Sequence, residues 1–315
     1  MPLTSMTKIS MRIKPRPPFR LDLTVWALRR QPHNRIDRWD GKTYSRVLVV
    51  DNAPVLVEVT QEGPAEGPRL VVSISGHKVI SKERTKREVR SLLRKVLGTS
   101  EDMQGFYQVA RKDARLNVLA KGLIGLKPPC FPSVFEALIN AFACQQLSLN
   151  VGITLLNRLS EAYGTCFICS DNSIHAFPTP EDLADAGPAA LRKLGFSRNK
   201  GHAIVTLARS VLDKELDLAS MGTMNDREVV DALQKIAGVG RWTAEYVMLR
   251  GLRRLHVFPG DDVGAQNNLQ RFLHLKGKPD YAIIKRIMLR WKPYGGFVYF
   301  HFLLQKLKSK GLLHS

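Results

Sequence analysis

The rhythm of apolar and polar positions changes near residue 100. Before it come four short runs rich in β-branched residues: LDLTVWAL (21–28), YSRVLVV (44–50), PVLVEVT (54–60) and RLVVSIS (69–75). They alternate in part and are separated by turn-rich DNAP and EGPAEGP. Period-two runs bounded by Gly and Pro predict strands, here an antiparallel sheet of about four or five. Lys86 to Leu97 then places Val89, Leu92, Leu93 and Val96 at helical spacing, a helix able to cover one sheet face.

From Ser100 onward the pattern is helical throughout. Helices are predicted over 135–146, 151–162, 180–185, 200–212, 226–237, 242–252, 263–274, 280–291 and 297–308. Pro178, Pro188, Pro259, Pro279 and Pro293 mark starts and connections, as proline does at a first helical turn. The fold class predicted is α+β. A basic tail (1–19) precedes a small antiparallel-sheet α/β domain (20–112), and a mainly helical domain (113–315) follows.

The most specific stretch is LQKIAGVGRWTAEYVMLRGLRRLHVFPGDD, from Leu233 to Asp262. Two amphipathic segments flank Gly238-Val239-Gly240, whose glycines permit a tight turn and close backbone approach. The helix after the turn would begin with N–H groups that point outward, a ready phosphate site. A carboxylate pair, Asp261 and Asp262, lies 21 and 22 residues beyond Gly240. These acids open a helical segment, so one of them is expected to be its N-cap.

Net charge sharpens this picture. The chain carries 48 Lys and Arg against 28 Asp and Glu, a formal +20, and no acidic residue follows Asp280. An excess this large points to a polyanion, with nucleic acid favoured over an acidic membrane. The apolar content of 44% is that of a globular protein, and no run is long enough to span a bilayer. Four cysteines give no disulfide framework and suit a reducing compartment such as the cytoplasm. Cys166 and Cys169 have ligand-like spacing, but no second pair completes a zinc site, so no metal is expected.

On the hairpin, the aromatic residues after it and the following Asp, the chain resembles the helix-hairpin-helix DNA glycosylases. RWTAEYVMLRG and VFPGDD are similar to their alkyl-purine branch, that of the bacterial inducible 3-methyladenine glycosylases. The resemblance covers roughly residues 130–305 and implies excision of alkylated purines from duplex DNA by a monomer. It implies that Gly238, Val239 and Gly240 grip a phosphate, with a monovalent cation as the one possible cofactor, held by hairpin carbonyls. It places Gln146 as the wedge that fills the gap left by a flipped nucleotide. The residues alone allow Gln145 and Gln146 to be amides that satisfy buried backbone groups.

Trp242 and Tyr246 lie at i and i+4 and can line one surface. A cationic methylated purine is attracted to such ring faces by roughly 0.5–2 kcal/mol, although core packing is the duller role for the pair. The resemblance implies a pocket role, and it makes Asp262 the catalytic carboxylate and Asp261 the cap. Leu303 stands where the branch can carry a further pocket Trp, which leaves lesion selectivity open. Relatives that also nick the strand carry a nucleophilic Lys at the position of Trp242 here, so hydrolysis without strand cleavage is expected. Lys235 is too early for that role, and Arg250, Arg253 and Arg254 are guanidinium groups. Arg198 and Lys200 are candidate phosphate contacts or a solvated face. The rival readings are an oxidised-base glycosylase of the same fold and a non-catalytic DNA-binding protein.

Overall fold

The computed structural model of the protein describes residues 6–169 and 172–313. Strand β1 (Thr7–Ile13) leads into helix α1 (Leu21–Arg29), then β2 (Arg38–Trp39), β3 (Thr43–Val50), β4 (Ala53–Glu62), β5 (Arg69–Gly76) and helix α2 (Lys82–Leu97). The strands form one antiparallel sheet in the order β1-β5-β4-β3-β2. Helices α3 (Gln104–Arg111), α4 (Ala114–Lys121), α5 (Val134–Cys144) and α6 (Leu149–Tyr163) follow, then a hairpin of β6 (Cys166–Cys169) and β7 (Asn172–His175). The chain continues through α7 (Pro180–Ala184), α8 (Pro188–Lys193), α9 (Arg198–Leu212), α10 (Asp226–Gln234), α11 (Arg241–Arg250), α12 (Val263–Leu273), α13 (Tyr281–Met288) and α14 (Gly295–Ser309).

Three expectations are corrected. LDLTVWAL is helix α1, not a strand. Its residues are buried on every side, because Leu21, Val25 and Leu28 pack on the sheet while Leu23, Trp26 and Ala27 pack on the C-terminal helices. A run that short and apolar has no periodicity that separates buried helix from buried strand. Second, residues 7–13 of the expected basic tail form β1, paired along its length with β5, and Ile9, Met11 and Ile13 point inward. Residues 1–5 lie outside the described residues. Third, the helical pattern is broken at CFIC, which is strand β6. Phe167 and Ile174 of this hairpin pack on Val47 and Leu56, covering the second face of the sheet.

Two apolar clusters meet along α1 and α11. One joins the sheet, α2, α5, α6, α9 and α10; the other joins α3 and α4 to α12, α13 and α14. The helical packing therefore begins at α3, ahead of the boundary expected at residue 113. The sheet is tied to α5 by buried charges. Arg46 on β3 donates to Asp37 (2.9 Å) and to Glu136 on α5 (2.6 Å), and the Tyr44 hydroxyl donates to Asp37 (2.9 Å). All three ionic side chains of this set are at most 5% exposed.

Removing one member of such a set leaves uncompensated buried charge. Arg46→Met is expected to lower unfolding free energy by about 3–5 kcal/mol, seen as a lower urea midpoint. An unchanged midpoint would mean that the two carboxylates do not depend on the guanidinium.

Candidate active site

The turn between α10 and α11 is built as its glycines predict. Gly238 takes φ +83°, a left-handed conformation that favours glycine. Gly240 is the N-cap of α11 and offers no side chain to the first N–H groups of the helix. A Cβ at Gly240 would meet nothing within 4 Å, and both glycines are exposed. The helix therefore presents its positive end outward, where an anion can approach closely.

The loop after α5 is tied to this turn. Gln145 donates its amide to the Gly238 carbonyl (2.9 Å) and to the Thr243 hydroxyl (2.7 Å), and its own carbonyl accepts from the Lys200 ammonium (2.6 Å). Gln145 is thus the structural amide of the pair. Gln146 is exposed, holds φ +54°, and makes no side-chain hydrogen bond among the described residues. A non-glycine residue in that region carries strain that the surrounding structure must hold, and such positions cluster at functional sites. Lys200 is occupied at Gln145, while Arg198 is exposed on the first turn of α9.

Trp242 and Tyr246 project from the same face of α11 and stack, with centroids 5.3 Å apart and planes 27° from parallel. Trp242 is half-buried, whereas Tyr246 is buried behind it. Asp262 is the N-cap of α12: Oδ1 accepts from the Ala265 N–H at 2.7 Å. Its second oxygen, Oδ2, accepts from Trp242 Nε1 (3.4 Å) and the Tyr299 hydroxyl (3.3 Å). Asp261 is therefore not the cap. It forms a two-pronged pair with Arg241, at 2.6 and 2.9 Å. The order is set by geometry, since a capping oxygen must sit directly before the first helical residue.

Four residues of this site were not singled out by the sequence reading as parts of it. Tyr299, one turn before Leu303 on α14, reaches Asp262; burial, then the Asp262 charge, pushes its pKa well above the ordinary phenol value, so it stays a donor. Arg30, the left-handed C-cap of α1, donates to the Tyr246 hydroxyl (2.8 Å) and to Asn140 (2.7 Å). Arg250 completes the Trp242–Tyr246 face of α11 at i+8 and donates to the carbonyls of Ala27 (3.0 Å) and Leu28 (3.1 Å) at the end of α1. Its guanidinium also lies 4.9 Å from the Phe131 ring centre and 5.2 Å from that of Phe300. The periodicity Trp242, Tyr246, Arg250 was a signal for this residue.

The fourth is Glu245, on the adjoining face of α11. Its carboxylate accepts from the Gly260 N–H (3.0 Å) and from the Tyr281 hydroxyl. Burial raises its pKa from the ordinary carboxylate value, opposed by the Tyr281 hydrogen bond. The Tyr281 phenol is pushed well above the ordinary phenol value, by burial first and then by Glu245.

Among the described residues no group of three or more His, Cys, Asp or Glu is placed to hold a metal ion, and no helix is long and apolar enough to cross a membrane. Cys166 is exposed on β6, and neither it nor Cys169 belongs to such a group.

Residues 139–293 match the family of HhH-GPD superfamily base excision DNA repair proteins. The chain is 31% identical over 179 residues to the alkylbase DNA glycosidase-like protein mag2 of Schizosaccharomyces pombe, covering 56% of this chain and 80% of that one. It is 25% identical over 283 residues to a DNA-3-methyladenine glycosylase of Bacillus subtilis, covering 90% of this chain and 92% of the relative. Its fold matches the 3-methyladenine DNA glycosylase of Archaeoglobus fulgidus with a TM-score of 0.80 and 25% identity, over 93% of this chain and 97% of that one. Hairpin, acid and fold thus coincide over the whole matched region, and the chain belongs to the HhH-GPD superfamily of base excision DNA repair proteins.

Proposed function

We propose that this protein is a monofunctional DNA glycosylase of base excision repair. It hydrolyses the N-glycosidic bond of alkylated purines such as 3-methyladenine and 7-methylguanine in duplex DNA. One observation carries the reading: a carboxylate oxygen of Asp262 is held beside a stacked aromatic pair, on the helix whose free N-terminus faces outward. Relatives named as 3-methyladenine glycosylases, similar over most of the chain, support the substrate class.

A stacked base must be extruded before its glycosidic bond can be reached. In this reading the first N–H groups of α11, with Gly238, Val239 and Gly240, hold one phosphate, and Gln146 enters the gap. Hard carbonyl oxygens suit an alkali cation. Main-chain carbonyls of the hairpin would hold one, and it would add positive charge beside that phosphate. Trp242 offers its ring face to the cationic purine, and Tyr246 backs it. As the bond breaks, positive charge grows on the deoxyribose, and the Asp262 carboxylate stabilises it while water attacks. The alkylated base leaves already charged, which reduces the need for a general acid. Every group invoked comes from one chain, in keeping with action as a monomer.

Asp262→Asn keeps a good capping residue, so folding and DNA affinity should persist while base release from methylated duplex falls by about 100-fold or more. Asp261→Asn breaks only a partly exposed ion pair, worth about 0–1 kcal/mol, and should retain most activity. Gly240→Val should show the opposite split from Asp262→Asn, because a Cβ there meets no protein atom within 4 Å and the added side chain stands where a phosphate would sit. It should weaken binding to any duplex without unfolding the protein. Equal loss of binding in all three variants would contradict these assignments.

With Trp242 in place of an amine, the product should be free base and an intact strand bearing an abasic site. Borohydride added during turnover should trap no protein–DNA adduct. A stoichiometric adduct, abolished by changing one lysine, would overturn the monofunctional reading.

A further inference from the structure

We propose that Glu245 is a positioning residue for the reaction: it sets where the Asp262 carboxylate lies relative to the phosphate anchor. This inference rests on reading Asp262 as the reacting carboxylate.

The turn that carries Asp262 is fastened to α11 through the two residues before it. Glu245 takes the Gly260 N–H at 3.0 Å, and Arg241 holds Asp261 through two hydrogen bonds. Arg241 and Glu245 are four residues apart, on one face of one helix. Tyr281 of α13 closes the clamp: its hydroxyl donates to Glu245, and its ring lies 3.8 Å below the Arg241 guanidinium. A Cβ at Gly260 would come within 2.6 Å of the Tyr281 ring, so the turn already lies flat against that side chain.

The helix that receives these contacts is the same one whose N-terminus faces the phosphate site. Anchor and carboxylate are therefore fixed to one rigid body, and the intervening loop need not supply that precision. The two links differ in strength. The Arg241–Asp261 pair is partly exposed, with side chains 53% and 32% accessible, and water competes for it. The Glu245–Gly260 bond is charge-assisted and more buried, so it is the firmer of the two. Behind the clamp, Arg241, Glu245, Gly260 and Tyr281 line an open cleft of about 690 Å³. Without Glu245, water from that cleft can satisfy the Gly260 N–H. The turn would then loosen and the core would stay intact.

Displacing a reacting group by about 1 Å can cost on the order of a hundredfold in rate. Single-turnover excision by Glu245→Ala on methylated duplex should fall by roughly tenfold to a hundredfold. Its affinity for abasic duplex should stay near that of the parent, as should its melting temperature. Glu245→Gln keeps an oxygen for the Gly260 N–H and should recover most of the rate. Gly260→Ala, pressed off Tyr281, should reproduce the slow phenotype by an independent route and serves if Glu245→Ala does not fold. Full activity in Glu245→Ala alongside an inactive Asp262→Asn would overturn the positioning role and leave the function intact. So would parallel loss of rate and affinity, or failure of Glu245→Gln to recover activity. An active Asp262→Asn would instead overturn the assignment of the carboxylate, and this inference with it.

Discussion

The position of α11 depends on one buried charge. Arg250 closes the helix with a guanidinium 1% exposed, a group that costs several kcal/mol to take out of water unless it is compensated. Its compensation comes from α1. One nitrogen donates to the carbonyls of Ala27 and Leu28, where the α1 dipole is negative. The remaining nitrogens have no acceptor among the described residues and face the rings of Phe131, Tyr246 and Phe300. Moving α11 along or around its axis would strand that charge. The rest of the site inherits this constraint, because α11 carries the outward-facing N-terminus, the aromatic pair and the clamp on the Asp262 turn.

The two working faces of α11 do different things. Trp242, Tyr246 and Arg250 share one face and are knitted to α1 through Arg30 and Arg250. Arg241 and Glu245 lie on the adjoining face and hold the loop that ends in Asp262. This loop is also held just before Gly260, where Phe258 packs edge-on against Tyr299 at 6.0 Å. The carboxylate is thus held in place by protein neighbours, the condition under which a fixed charge would lower a barrier most.

What the sequence disclosed depended on range. The glycine turn, the i, i+4 aromatic pair and the acid beyond them are local patterns, and they stand close together in the fold. Asp262 was singled out, but its capping bond was assigned to Asp261, because either acid satisfies the local pattern and only the backbone decides. Strand β1 was hidden by its charges: Lys8 and Arg12 drew attention away from the alternation of Ile9, Met11 and Ile13. Helix α1 was misread because every side of it is covered by protein. Arg30 and Tyr299 were invisible for a third reason. Their partners lie 216 and 37 residues away, so nothing in their local surroundings announces them.

The central claim is that one helix fixes both the phosphate and the carboxylate that meets the reacting sugar. A crystal structure with duplex DNA bearing a pyrrolidine, a cationic ring, in place of one deoxyribose tests it directly. A phosphate oxygen should lie on the N–H groups that open α11 and the Asp262 carboxylate within about 3 Å of the pyrrolidinium nitrogen, with the Glu245–Gly260 bond retained. DNA seated away from the hairpin, or a carboxylate turned from the cation, would contradict it.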